Sequence, residues 1–281
     1  MAQDRMSAYE RRALADIQAW KEPSTGWMSS LSDATSKAWN DVTDLVHRIP
    51  GVEWTMDNVI AGLVDLTNEI TQDSVWTDAV YRDFRKRGFD VQEPTDVREL
   101  DLEHIDEVTG GLEQKYIGLA TAEGAATGLA GAAGIAPDLI ALVSINLRAA
   151  GEYAAYCGFD VKQPVERVYA LELLDYVASS GNNKKEITIA PAVRSASKAA
   201  RTQGIQLLEQ VGVGNAVEAL ARRLGIHLTE KKMAQMVPVT GAFLGGGLNY
   251  LYTRKVCQTA RFLYRERFLI AKYGPGIVEA A

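Results

Sequence analysis

The sequence predicts an all-α protein: a single multi-helix domain built around a Gly/Ala-rich antiparallel helical hairpin. Three observations carry this prediction. Apolar residues recur at helical spacing in nearly every segment, as at Val59, Ile60, Leu63, Val64 and Leu66. Pro50-Gly51, Gly88, Pro94, Pro137, Gly158 and Pro164 punctuate those segments as stop and start signals. No stretch alternates apolar and polar residues over a useful length; EITIAPAV at 186–193 is the best strand candidate and a weak one.

The elements follow in order. SAYERRALADIQAW reads as an amphipathic helix ending near Pro23, with a turn over Thr25 to Trp27. Ser32 and Asp33 are good caps for a helix to about His47, which Pro50-Gly51 stops. Asp57 to Ile70 forms the next helix. Ser74 caps one that runs to about Arg87 and stops at Gly88. Pro94 and Thr95 open a short helix or turn, and Asp101 begins the acidic stretch DLEHIDEVTGG. A long Gly/Ala-rich helix spans about Leu112 to Ala133. Pro137 begins another, to about Cys157, with Asp138 complementing its dipole. Pro164 opens a helix to about Ala178, ending at Ser-Ser-Gly-Asn-Asn. A basic, Ala/Ser-rich helix over 187–205, short helices around 206–234, and a helix from Pro238 to about Cys257 complete the set. The last is continuous with, or closely followed by, one to Tyr273. Two parts are expected: residues 1–95, a Trp-containing helical region packed on the core, and residues 96–281, the main helical domain.

Composition excludes several functions. Two cysteines among 281 residues rule out a disulfide scaffold or a Cys-rich zinc module. His47, His104 and His227 are too scattered for a multi-His metal site. The net charge of −6 argues against a nucleic-acid partner, and no cofactor motif is present. That −6 hides an asymmetry. Residues 1–181 carry 15 Lys+Arg against 30 Asp+Glu, a formal −15; residues 182–281 carry 15 against 6, a formal +9. Either the two halves attract each other in the fold, or they serve different partners. The charged N-terminus lacks the apolar core of a secretory signal, so a cytoplasmic location is expected. Asp138 breaks the longest uncharged tract into pieces too short for a membrane span.

The hairpin is the most informative segment. Ala120, Gly124, Gly128 and Gly131 form a small-residue stripe on one helix; Ala141, Ser144, Gly151 and Ala155 form one on the other. Each helical Gly costs about 1 kcal/mol relative to Ala, so several together imply close backbone packing. With the turn centred near Ile135-Ala136, facing residues have numbers that sum to about 271. Glu123 then faces Arg148, and a buried charge needs a partner. The alternative is that Arg148 pairs with Glu152 one turn away. Glu123, Thr127, Asp138 and Arg148 are the candidate polar site.

Other constellations are weaker. Asp101, Glu103, His104, Asp106 and Glu107 are metal-ligand types, but their single Asp-x-x-His has no second copy, and no metal is expected. Cys157 and Cys257 read as helix-core thiols. Arg254, Arg261, Arg265 and Lys272 stay within about 40° of one another on a helix, a basic stripe opposite Val256, Leu263 and Ile270. Such a stripe suits an anionic surface; alternatively, its cations pair with the acidic half of the chain.

Two segments resemble the EcsC protein family. AEGAATGLAGAAGIAPDLIALVSINLRAAGEYAAYCGFD, from Ala122 to Asp160, is similar to its pattern of Glu-Gly-Ala-x-Thr-Gly, then Asp, then Arg, then Tyr-x-Gly-x-Asp. Here the expected Tyr-Gly pair reads Cys157-Gly158. VPVTGAFLGGGLNYLYTRKVCQTARFLYRER, from Val237 to Arg267, is similar to Pro-Val-x-Gly-Ala…Asn-Tyr…Ala-Arg. The resemblance implies a bacterial helical protein acting as a membrane-associated accessory, and it supplies no catalytic residue. With the small-residue hairpin and the basic C-terminal half, the expected function is that of a non-enzymatic accessory that associates through those two features with an anionic membrane surface or a membrane protein complex, peripheral to the inner face of the cell membrane. The alternative is an enzyme, a hydrolase for instance, with Glu123, Asp138 and Arg148 in its site.

Overall fold

The computed structural model describes residues 5–21, 52–69, 77–128, 134–179, 213–234 and 247–279. The helix expected at 33–47, the turn at Thr25 to Trp27, the strand candidate at 186–193, the basic helix at 187–205 and the Ser-Ser-Gly-Asn-Asn loop lie outside these residues. The helices are α1 (Ala8–Lys21), α2 (Val52–Glu69), α3 (Thr77–Lys86), α4 (Pro94–Glu99), α5 (Leu102–Thr109), α6 (Leu112–Gly128), α7 (Ile135–Tyr156), α8 (Pro164–Ser179), α9 (Val213–Ala234), α10 (Gly247–Tyr273) and α11 (Gly276–Glu279). No strand occurs among the described residues.

Local chemistry sets the boundaries. Ser7 and Glu10 cap α1 reciprocally: the Ser7 N–H donates to Glu10 Oε2 at 3.0 Å, and the Glu10 N–H donates to Ser7 Oγ at 3.1 Å. Glu93 and Asp96 form the same kind of box ahead of α4, with Pro94 in its first turn. Gly158 ends α7 at φ +76°, and a Cβ there would lie 2.6 Å from the Pro94 carbonyl oxygen. Only a glycine lets α4 seat so closely on the end of α7. Some boundaries differ from expectation. Residues 213–234 form one helix rather than several short ones, because Val217, Leu220, Ala221, Leu224 and Leu228 bury a continuous stripe. Helix α7 starts at Ile135, two residues before Pro137, because a first-turn proline does not have to be the first residue.

Helices α7 and α10 make the centre. Helix α7 packs against α2, α3, α5, α6, α8, α9 and α10, and α10 packs against α1, α4, α5, α6, α7 and α8. From Ala149 to Tyr156 every residue of α7 is buried, so that end of the helix is covered on all sides. Trp20 of α1 stacks on Phe262 of α10 with ring centroids 4.9 Å apart. Arg267 of α10 binds Glu166 of α8 in a fork, Nη1 to Oε2 at 2.7 Å, and its guanidinium lies over the rings of Phe159 and Tyr169. Burial pulls the Arg267 pKa down, but the Glu166 carboxylate more than offsets this and holds the cation ionised. Helices α6 and α7 form the expected hairpin. No helix among the described residues is long and apolar enough to cross a membrane.

Candidate functional site

Four helices bring polar groups together near the tip of the hairpin. Asp138, in the first turn of α7, is 2% exposed. Its Oδ1 accepts from Thr127 Oγ1 of α6 at 2.6 Å and from Asn249 Nδ2 of α10 at 3.0 Å. Lys232 of α9 brings Nζ to 2.7 Å from Asp138 Oδ2; the ammonium compensates the charge but lies off the hydrogen-bond direction of that oxygen. Asn249, fully buried, also donates to Glu123 Oε2 of α6 at 3.2 Å, and Lys232 reaches Asn249 Oδ1 at 3.4 Å. Thr127 has one hydroxyl hydrogen, and its shorter contact is to Asp138 rather than to the Glu123 carbonyl at 3.1 Å.

The glycine stripe has a specific purpose here. A Cβ on Gly124 would lie 2.4 Å from Asn249 Nδ2 and 2.9 Å from its Cγ. The missing side chain is the space Asn249 occupies between the two carboxyls. Glu123 is half-buried, and its Oε1 has no hydrogen-bond partner. Burial raises its pKa most, followed by the charge and hydrogen bonding of Asp138; Lys232 and Thr127 pull it down, and the result is pushed up to about 7. The arrangement can hold a proton at neutral pH and give it up just above.

Arg148 is not part of this cluster. Its side chain is 46% exposed, and its Nε lies 3.6 Å from Glu152 Oε1, one turn along α7. Glu152 in turn accepts from Lys115 Nζ of α6 at 2.7 Å. The expected Glu123–Arg148 pair is therefore wrong and its local alternative is right. The reason is register. Thr127 faces Asp138 and Lys115 faces Glu152, so facing residues sum to 265 and 267 rather than about 271. Ile135 and Ala136, expected at the turn, are already helical, and Glu123 falls opposite the first half of α7. Sequence reasoning brought Glu123, Thr127 and Asp138 together correctly and missed Lys232 and Asn249. Asn249 stands in the second motif segment, which was the available signal; Lys232 gave none.

A family profile described as EcsC protein family matches residues 11–269. The chain belongs to the EcsC protein family. It is 25% identical over 177 residues to the uncharacterized protein YdbA of Bacillus subtilis, covering 63% of this chain and 62% of YdbA. It is 24% identical over 174 residues to protein EcsC of the same organism, covering 62% of this chain and 68% of EcsC. The matched region thus spans less than two thirds of YdbA. No solved structure matches. In this EcsC-family chain the two motif segments meet at the polar cluster: Glu123, Thr127 and Asp138 come from the first, Asn249 from the second.

The basic stripe of this EcsC-family chain is divided, with Arg265 and Lys272 turned inward and Arg254 and Arg261 left exposed. Arg265 is 5% exposed and pairs with Asp106 of α5 at 2.8 Å, where Tyr9 of α1 also donates to the carboxylate. Lys272 pairs with Glu10 at 3.0 Å and Asp101 at 3.2 Å. Neither can present charge to an external surface, which corrects the expectation for both. They lie on one helix face as predicted, but α1 and α5 cover its C-terminal half. Arg254 stays half exposed, 4.0 Å from Glu113, and Arg261 is exposed. The acidic stretch is used in the same way: Asp106 and Asp101 are committed to Arg265 and Lys272, and His104 lies against Phe89 with centroids 4.6 Å apart and ring planes tilted by 42°. Among the described residues no three of His, Cys, Asp or Glu gather as metal ligands. Cys157 and Cys257 are free, buried thiols; burial pushes both up, Cys257 to about 12. On α9, His227 Nδ1 lies 3.0 Å from the buried Asp175 Oδ1 of α8, whose other oxygen takes Arg223 at 2.7 Å.

Proposed function

We propose that this protein is a non-enzymatic helical accessory that associates with an anionic membrane surface from the cytoplasmic side. The face is built from α6 and the N-terminal half of α10. The observation that carries the reading is a set of exposed large apolar side chains on two packed helices, with exposed cations on one of them. Leu119 is 49% exposed, Tyr250 39% and Leu251 38%. The contact between the Ala120 carbonyl and Asn249 Nδ2, at 3.5 Å, sets Leu119 and Tyr250 at the same level on neighbouring helices. Arg254, Lys255 and Arg261 continue the exposed face of α10 beyond them. Aromatic and aliphatic groups that insert shallowly, with cations beside them, suit a lipid interface; each cation near an anionic surface contributes about 1 kcal/mol. The test is co-sedimentation with phosphatidylglycerol-containing vesicles and with pure phosphatidylcholine vesicles. Salt-sensitive binding to the former alone, weakened by joint charge reversal of Arg254, Lys255 and Arg261 to Glu, is expected. Absence of binding at low ionic strength, or binding indifferent to the reversal, refutes it.

A second reading, an enzyme such as a hydrolase, is favoured by the Glu123–Asp138 pair, since an acid poised near neutrality suits general acid–base work. In that reading Lys232 takes the place expected for Arg148. Hydrolysis of a panel of simple esters and phosphoesters that is abolished by Glu123→Gln supports it; hydrolysis that survives the change does not.

A further inference from the structure

We propose that Glu123 and Asp138 form a proton-operated clamp that fastens α6 to α10 through Asn249. The groups that face Glu123 are few: Asp138 from α7, Lys232 from α9, Asn249 from α10, and Thr127 on its own helix. Lys232 is the cation that compensates Asp138, with Nζ at 2.7 Å from its Oδ2. With Glu123 protonated, the cluster is neutral: one carboxylate, one ammonium, one carboxylic acid. With Glu123 ionised, one negative charge is left uncompensated among buried groups. That charge faces a second carboxylate and carries an oxygen, Oε1, with no hydrogen-bond partner.

Asn249 is the fixed bridge from which Glu123 is released. Its amide nitrogen donates to Asp138 Oδ1 at 3.0 Å and to Glu123 Oε2 at 3.2 Å, so it bridges the two helices of the hairpin. It can do so only because Gly124 carries no Cβ. Repulsion between two carboxylates is relieved by moving Glu123, the half-buried one, away from Asp138 and Asn249. Asp138 is fixed by Lys232 and Thr127 and stays. The C-terminal half of α6 then loosens from α10 while the α7–α9–α10 side holds. The clamp is closed in the protonated state and released as pH rises.

The sign and size follow from linkage. The closed state holds the Glu123 proton up to about pH 7, whereas an open, solvated Glu123 loses it near the ordinary value of 4.5. Between pH 6 and pH 8 the opening equilibrium rises about tenfold. The experiment is hydrogen–deuterium exchange of peptides covering α6 in the full chain, at both pH values, corrected for the intrinsic rate. A loss of protection of about tenfold over residues 118–128, with α8 unchanged, is expected. Glu123→Gln, which cannot ionise, is expected to show equal protection at both. Equal protection of the wild-type protein at pH 6 and pH 8, or an undiminished loss in Glu123→Gln, overturns the proposal. If the variant does not fold, the carboxyl carbon-13 titration of Glu123 in the wild-type chain decides. A midpoint near 7 supports the clamp, and one near 4.5 overturns it.

Discussion

Gly118 and Gly124 sit in the same helix, and replacing each with alanine should have opposite effects. At Gly118 a Cβ meets nothing within 4 Å, and the position is exposed. Alanine there gains helix propensity and should stabilise the protein by about 0.5–1 kcal/mol. At Gly124 the same gain is outweighed. The new Cβ would lie 2.4, 2.9 and 3.3 Å from Nδ2, Cγ and Cβ of Asn249, a side chain that is fully buried. Rotating only the amide end does not clear three atoms, so Asn249 or the helix axis must shift. Overpacking of this kind costs about 1–3 kcal/mol. Displacing Asn249 weakens its bond to the Asp138 carboxylate, at about 1.5–3 kcal/mol for a charged acceptor, and its bond to the Glu123 carboxyl, at about 0.5–1.5 kcal/mol for a neutral one. With partial relaxation, Gly124→Ala should destabilise by about 2–4 kcal/mol. Urea unfolding of both variants measures the difference. In an Asn249→Ala background the two nearest atoms are gone, and Gly124→Ala should lose most of its penalty, giving a strong coupling in the double-mutant cycle. Equal effects at the two glycines, or additive behaviour of Gly124→Ala with Asn249→Ala, would refute the role assigned to the missing side chain.

Two further predictions concern buried groups. Arg265→Met removes the partner of Asp106, whose carboxylate is 8% exposed, and should destabilise by about 3–5 kcal/mol in urea unfolding; Arg261→Met, on the exposed face, should stay within about 0.5 kcal/mol. Similar losses for both would mean that the stripe is not divided into internal and external parts. Neither Cys157 nor Cys257 should react with a thiol-specific disulfide reagent at pH 8 in the native protein, because burial, with Asp106 near Cys157 and Glu113 near Cys257, holds both thiols protonated. Both should react once denaturant is added, and fast native labelling of either would contradict the burial.

The sequence made the helices legible because their signals are local: an apolar stripe, a capping residue, a proline or glycine at the end. Asp57 to Ile70 was recognisable from Val59, Ile60 and Leu63, even though α2 begins five residues earlier at Val52. The register of the hairpin was not legible, because it depends on where the turn sits. Moving the turn by two or three residues shifts facing positions by four to six, which is enough to put Arg148 a full turn from Glu123. Among the site residues, Glu123, Thr127 and Asp138 were legible, since a charge or hydroxyl on a small-residue helix stands out. Lys232 lies beside Lys231 near the end of an amphipathic helix, where a lysine is ordinarily solvated. Only the packing of α9 beside α7 turns it inward.

The charge asymmetry has a structural explanation that also limits what an external partner can use. Cations of the second half meet acids of the first across helix interfaces: Lys232 with Asp138, Arg265 with Asp106, Arg267 with Glu166, Lys272 with Glu10. Each pair joins helices far apart in the chain, and most of these side chains are nearly out of solvent. The attraction between such ions is largely offset by their desolvation, so these pairs contribute less to stability than their number suggests. An unpaired member, however, leaves a buried charge, and a misplaced helix would leave several. The pairs therefore select one arrangement of α1, α5, α7, α8, α9 and α10. Arg254 differs from them. Its 4.0 Å contact with Glu113 is half exposed, and such pairs are worth about 0–1 kcal/mol, so a lipid phosphate could replace Glu113 at little cost. That contrast confines the proposed membrane contact to the N-terminal half of α10, beside Tyr250 and Leu251. The C-terminal half of the same stripe holds the two parts of the chain together.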